Sequence, residues 1–167
     1  MQFIAEIDLT VAQTFSAIPQ TFRHLMVVAI LRSPAAVPTS VANMRINGDT
    51  GVNYDEVGVN GGNSTANAYS VPTVGAIQVA VIPGATAAAT AFSSMELWLP
   101  YYAKTTNRKT VNVLSTSDAS STAATLISEA NGGTWLNPAA ISSFNLFPGA
   151  APGPFAAGSF ASLYGLP

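Results

Sequence analysis

Side chains able to do chemistry are scarce in this chain of 167 residues: one histidine, eight Asp and Glu, six Lys and Arg, and no cysteine. A Ser-His-Asp or Cys-His arrangement would have to use His24, because that chemistry needs a base titrating near neutrality within hydrogen-bond reach of its nucleophile. His24 lies in the most apolar stretch, and no G-x-S-x-G elbow occurs anywhere, so it reads as a structural histidine. Zinc is not expected either, since one histidine without cysteine cannot make an ordinary site. Among the acids, Asp49, Asp55 and Glu56 cluster, with Glu96 and Asp118 farther along. A glycosidase would need two of them facing each other across a cleft, whereas paired acids of this kind are ordinarily solvated loop residues. Asp49, Asn53 and Asp55 could also ligate calcium. However, Gly51 stands where an EF-hand has a ligand and Asn60 where its bidentate Glu belongs, and turn capping accounts for the run better. No catalytic residue, metal or cofactor is expected.

Binding is the alternative use of reactive surface. Tyr54, Tyr69, Trp98, Tyr101 and Tyr102, with Trp135 and Tyr164, could form an interaction surface of flat rings that stack on sugars, in competition with core packing and subunit contact. Asn63-Ser64-Thr65 matches a glycosylation sequon and reads as a loop. Charged residues make up 8% of the chain, against about 25% in an ordinary soluble domain. The surface must then be covered by Ser, Thr, Asn, Gln and Ala, which leaves it poorly protected against association; permanent contacts and a homo-oligomer are expected. A net charge of −2 argues against nucleic acid, and Lys104, Arg108 and Lys109 form only a small basic cluster. The start, MQFIAEIDLT, lacks a secretory pattern, and the longest aliphatic run, Leu25 to Leu31, is far shorter than the roughly 20 residues of a membrane helix. A soluble protein without membrane contact is expected, and the lack of cysteine fits folding in a reducing cytoplasm.

The elements that must position these residues are strands. Phe15 to Ser33 organises the rest, because Phe22, His24, Met26, Val28 and Ile30 alternate with Leu25, Val27, Ala29 and Leu31. Being apolar on both faces, it reads as a central strand covered on both sides, by another layer or by a neighbouring subunit. An aspartate at Val28 is therefore expected to prevent folding. Further strands are read at Phe3 to Leu9, around Met44 and Ile46, at Gly75 to Ile82, Met95 to Leu99, Thr110 to Ser115, Thr125 to Glu129, Ile141 to Phe147 and Phe160 to Leu166. Asn47-Gly48-Asp49 is a hairpin signal and Asn131-Gly132-Gly133 a turn. Residues 51–72 read as a long polar loop, and ATAAATAF after Gly84 as a short helix or an irregular edge. Eight or nine short strands without an amphipathic helix predict one domain over residues 1–167, an all-β antiparallel β-sandwich of jelly-roll kind.

Several stretches occur in a recognisable order: FSAIPQTFRHL from Phe15, RINGDTGVNY from Arg45, IPGA from Ile82, LPYYA from Leu99, and FAAGS from Phe155 with LYG from Leu163. Together they cover most of the chain and resemble tailed-bacteriophage virion proteins, in which a β-sandwich module occurs alone or attached to tail and fibre proteins. The resemblance implies a non-enzymatic virion component assembled in the host cytoplasm, and it transfers no catalytic residue. A compact, weakly charged sandwich without coiled-coil heptads suits a capsid decoration or cement protein, expected as a symmetric oligomer, a trimer, against the major capsid protein or other virion proteins. The alternative is a receptor- or glycan-binding module associated with the tail or fibre, contacting host glycan.

Overall fold

Alternation decides the architecture. In the computed structural model, which describes residues 1–62, 65–118, 126–151 and 153–167, every strand puts successive side chains on opposite faces of a sheet. The strands are β1 (Gln2–Asp8), β2 (Thr14–Phe15), β3 (His24–Leu31) and β4 (Thr39–Ile46). Then come β5 (Tyr54–Gly62), β6 (Thr65–Val74), β7 (Ile77–Pro83) and β8 (Ser93–Pro100). The last four are β9 (Lys109–Asp118), β10 (Leu126–Trp135), β11 (Phe144–Pro148) and β12 (Phe160–Leu166). One sheet of eight strands runs β1-β12-β3-β8-β9-β10-β5-β6, and a second of four runs β2-β11-β4-β7. All pairings are antiparallel. The chain is thus an all-β sandwich, with twelve strands among the described residues rather than eight or nine.

The core lies between the sheets. Leu25, Val27, Ala29 and Leu31 of β3, Leu97 and Leu99 of β8, Val111 and Val113 of β9 and Leu163 of β12 meet Met44, Ile46, Ile77, Val79, Ile82, Phe144 and Leu146 from the smaller sheet. Strand β7 packs across β9 and β10. Burial of these aliphatic side chains, at about 25 cal/mol per Å² of apolar surface, drives the two sheets together.

Four expectations need correction. Strand β3 is covered on one face only: Val28 is 39% exposed and Ile30 50%, so an aspartate at Val28 meets solvent instead of the core. Residues 51–72 are mostly strand. The Asn and Gly of β5 and β6 have low strand propensity, yet these strands pair residue by residue from Glu56↔Val71 to Gly62↔Thr65, because neighbouring β10 supplies the template for β5. Asn131-Gly132-Gly133 is no turn but mid-strand, paired with Val113, Asn112 and Val111. A Cβ at Gly133 would overlap the Ile77 side chain and one at Gly58 would overlap the Asn131 amide, so glycine here permits close approach. Asn47 and Gly48 do form a tight turn, with φ of 51° and 69° and Asp49 N–H donating to Ile46 C=O at 3.0 Å. That turn sends the chain from one sheet to the other instead of closing a hairpin. Of the sequon, Asn63 and Ser64 lie outside the described residues, as does Thr125 of the strand read at Thr125 to Glu129.

The ATAAATAF segment is irregular, and a buried cation organises it. Arg32, at the end of β3, donates from Nη1 to Ala91 C=O at 2.8 Å and to Ala88 C=O at 2.5 Å, and from Nη2 to Ala87 C=O at 3.0 Å. Its guanidinium lies 6.0 Å from the Phe92 ring centroid. A planar fork reaches carbonyls set several ångströms apart from two nitrogens at once, whereas the N–H groups of an ammonium radiate from a single nitrogen. Arg32→Lys is therefore expected to lower stability by about 2 kcal/mol, a drop in the urea midpoint that circular dichroism would follow.

Candidate interaction surface

The outer face of the eight-stranded sheet is built by register. One rung across it reads Met26, Trp98, Asn112, Gly132, Val57, and the next reads Val28, Glu96, Leu114, Ala130, Val59. Because β10 contributes only Gly132 and Ala130 here, a groove of about 530 Å³ opens along it between Trp98, Asn112 and Leu114 on one side and Val57 and Val59 on the other. Glu96 is the one charged residue in its lining among the described residues. Leu114 is 62% exposed, and Val57 and Val59 are exposed with it. This is an exposed apolar groove with the charge depletion found at the centre of contact sites.

The five aromatic residues expected to form one surface are divided among three environments. Tyr54 and Tyr102 are fully buried. The Tyr54 hydroxyl accepts from Ile46 N–H at 3.0 Å and donates to Asp49 C=O at 3.0 Å, and the Tyr102 hydroxyl donates to Pro19 C=O. Both are core residues with a satisfied polar tip, which removes them from any interaction surface. Tyr69 points to the inner face of the sheet over Gly58. Burial, then the Glu129 and Glu56 charges, push its phenol up to about 12. Trp98 and Tyr101 do meet, through His24: the imidazole stacks on Trp98 at 5.2 Å and meets Tyr101 edge-on at 4.7 Å. His24 Nδ1 accepts the Tyr101 backbone N–H at 3.2 Å, which holds Tyr101 at a φ of 47°. Beside this shelf is a polar hollow of about 700 Å³ lined by Gln20, Thr21, Phe22, Arg23, Tyr101, Ala103 and Lys104.

The clustered acids Asp49, Asp55 and Glu56 are occupied with neighbouring backbone and side-chain donors. Asp49 accepts from Trp135 Nε1 at 2.8 Å, Gly51 N–H at 2.9 Å and Asn53 Nδ2 at 3.0 Å. The indole first, then the Gly51 N–H, hold its carboxyl below the usual range. Asp55 accepts from Thr73 N–H at 2.9 Å and Glu56 from Gln78 N–H at 2.7 Å. Asn53 thus turns its amide nitrogen toward Asp49, the opposite of a calcium-binding arrangement, and Glu96 stands apart on the outer face of β8. Among the described residues no group of three or more His, Asp or Glu converges as metal ligands would.

Two features escaped the sequence reading. Glu129 is 4% exposed; it accepts from Val81 N–H at 2.5 Å and Ser115 Oγ at 3.2 Å, and nothing in SEANGG marks it as buried. The groove residues Val57 and Val59 were missed because the Asn- and Gly-rich stretch around them was read as a loop, although their spacing of two across Gly58 was a readable sign of one strand face. Comparison with family models, with curated proteins and with solved structures finds no match.

Proposed function

We propose that the chain is a non-enzymatic structural protein of a tailed-bacteriophage virion, a decoration protein that attaches to the capsid through the outer face of its eight-stranded sheet. The observation carrying this reading is the groove on that face: it crosses several strands, and its mostly apolar lining is interrupted by a single carboxylate, Glu96. The ordered stretches from Phe15 to Gly165 support the phage assignment by resemblance. Strand order supports a jelly-roll reading of the fold. With the β5–β6 and β9–β10 hairpins set aside, the remaining strands fall as β1-β12-β3-β8 and β2-β11-β4-β7. Successive strands then switch sheets at every step except β4 to β7, the alternation of two interleaved Greek keys. Apolar area removed from water on docking would brace neighbouring capsid subunits against internal DNA pressure.

Particles lacking the chain are expected to release DNA at lower temperature than complete ones. Adding back the purified protein restores the difference, and Leu114→Glu does not. Add-back that leaves DNA release unchanged contradicts the capsid role.

One observation favours a second reading. The Trp98–His24–Tyr101 shelf beside a polar hollow has the pairing of flat ring and hydrogen-bond groups that sugars use. As a glycan-binding module of the tail, the protein would bind host surface polysaccharide, and Tyr101→Ala would weaken that binding at least tenfold in calorimetry. A blank titration at millimolar saccharide rejects this reading.

A further inference from the structure

Sheet edges expose rows of backbone donors and acceptors, and proteins blunt them with charges, bulges, shortness or cover. Three of the four edges here are blunted. Strand β2 has two residues. On β7, the N–H groups of Gln78 and Val81 are capped by the Glu56 and Glu129 carboxylates. Strand β1 carries Glu6 and Asp8 and a register break between Phe3 and Ala5. Strand β6 differs: it is the outermost strand of the larger sheet, ten residues long, without a charge and exposed along nearly all its length. Its regular run is Thr65 to Val71, since Pro72 lacks an N–H and Thr73 has a φ of 56° with its N–H taken by Asp55.

We propose that β6 pairs antiparallel with β6 of a second copy of this chain, across a two-fold axis at Ala68, the midpoint of that run. The register sets Ala68 against Ala68, Ala66 against Ser70 and Asn67 against Tyr69, so residues of each face stay on their face. Three properties of the strand select a second copy as occupant. Self-pairing brings no like charges together, because β6 has none. The outward residues Ala66, Ala68 and Ser70 are small, so the weakly charged outer surface continues across the seam. An isologous contact closes at two copies, and the blunted β1 edge stops further growth, so an open β6 does not produce fibres. The contact is independent of where in a particle the protein sits.

Sedimentation equilibrium and cross-linking test this. Ala68→Lys puts like charges opposite each other at the axis. It is expected to halve the mass of the wild-type assembly at micromolar concentration and leave the far-UV circular dichroism of the folded chain unchanged; Ala66→Lys provides a second edge variant. Because the chain has no cysteine, Ala68→Cys supplies a unique thiol, expected to be joined to its mate by a short bis-maleimide at least tenfold faster than Val11→Cys, which is also exposed. Equal masses for wild type and both lysine variants, a monomeric wild type, or equal cross-linking of the two cysteine variants would each overturn the pairing.

Discussion

Val27→Asp is expected to abolish folding, whereas Val28→Asp, one residue along, leaves a folded sandwich that melts only a few degrees lower. Val27 is fully buried between the sheets. An unpaired carboxylate there costs several kcal/mol, a large share of the roughly 5–15 kcal/mol that keep a domain folded. Val28 faces outward, opposite Glu96 on β8 and Ser162 on β12. The added carboxylate is hydrated, and the cost is the like-charge contact with Glu96, up to about 1 kcal/mol, or roughly 2–4 °C for a domain of this size. Circular dichroism melts of the two variants make the comparison. Loss of fold in both would mean that the outer face of β3 is covered within the monomer.

The second large effect is expected at Asp49. Its carboxylate gathers Trp135 Nε1, Gly51 N–H and Asn53 Nδ2 beneath the turn that follows β4, so it ties β10 to the crossing between sheets. Asp49→Ala removes three acceptor contacts and orphans the indole N–H of a buried tryptophan, at a cost of about 3 kcal/mol. Asp49→Asn keeps the shape and loses the charge, for about half that. The pH dependence follows from the lowered pKa of the folded carboxyl. The unfolded chain takes up the proton first as pH falls, so the contribution is complete above the ordinary carboxylate value near 4. It is lost as pH drops from there through the folded value. Urea midpoints of wild type and Asp49→Asn should therefore differ at pH 7 and converge toward pH 2. A gap that stays constant over that range would show that the charge itself contributes nothing.

Much of the sandwich was legible in the sequence because strands such as HLMVVAIL and SMELWL carry their own apolar alternation. The Asn47-Gly48 turn was legible too, since its positive φ values need residues that tolerate them. What local pattern could not convey was the partner. Strands β5 and β6 interleave Val, Tyr and Thr with Asn, Gly and Pro that weaken the strand signal, and they pair because β10 already lies in the larger sheet. Gly58 and Gly133 look like turn residues until a facing side chain is seen to require the space. The two-sided apolar run of β3 was read correctly as a pattern; no layer among the described residues covers its second face, which leaves the neighbouring subunit of the two alternatives, and such cover is a property of an assembly that local pattern does not encode. The aromatic residues failed for a related reason: a tyrosine in a strand says nothing by itself about whether its hydroxyl ends on a buried carbonyl, as at Tyr54, or in solvent.

Cryo-electron microscopy of the purified virion puts the central proposal to the most direct test. The account predicts density fitting this twelve-strand sandwich at symmetry-related positions on the outer capsid surface, with Leu114, Val57 and Val59 turned toward the neighbouring protein. Density confined to the tail, or a capsid-bound copy whose Leu114 face is open to solvent, would contradict it.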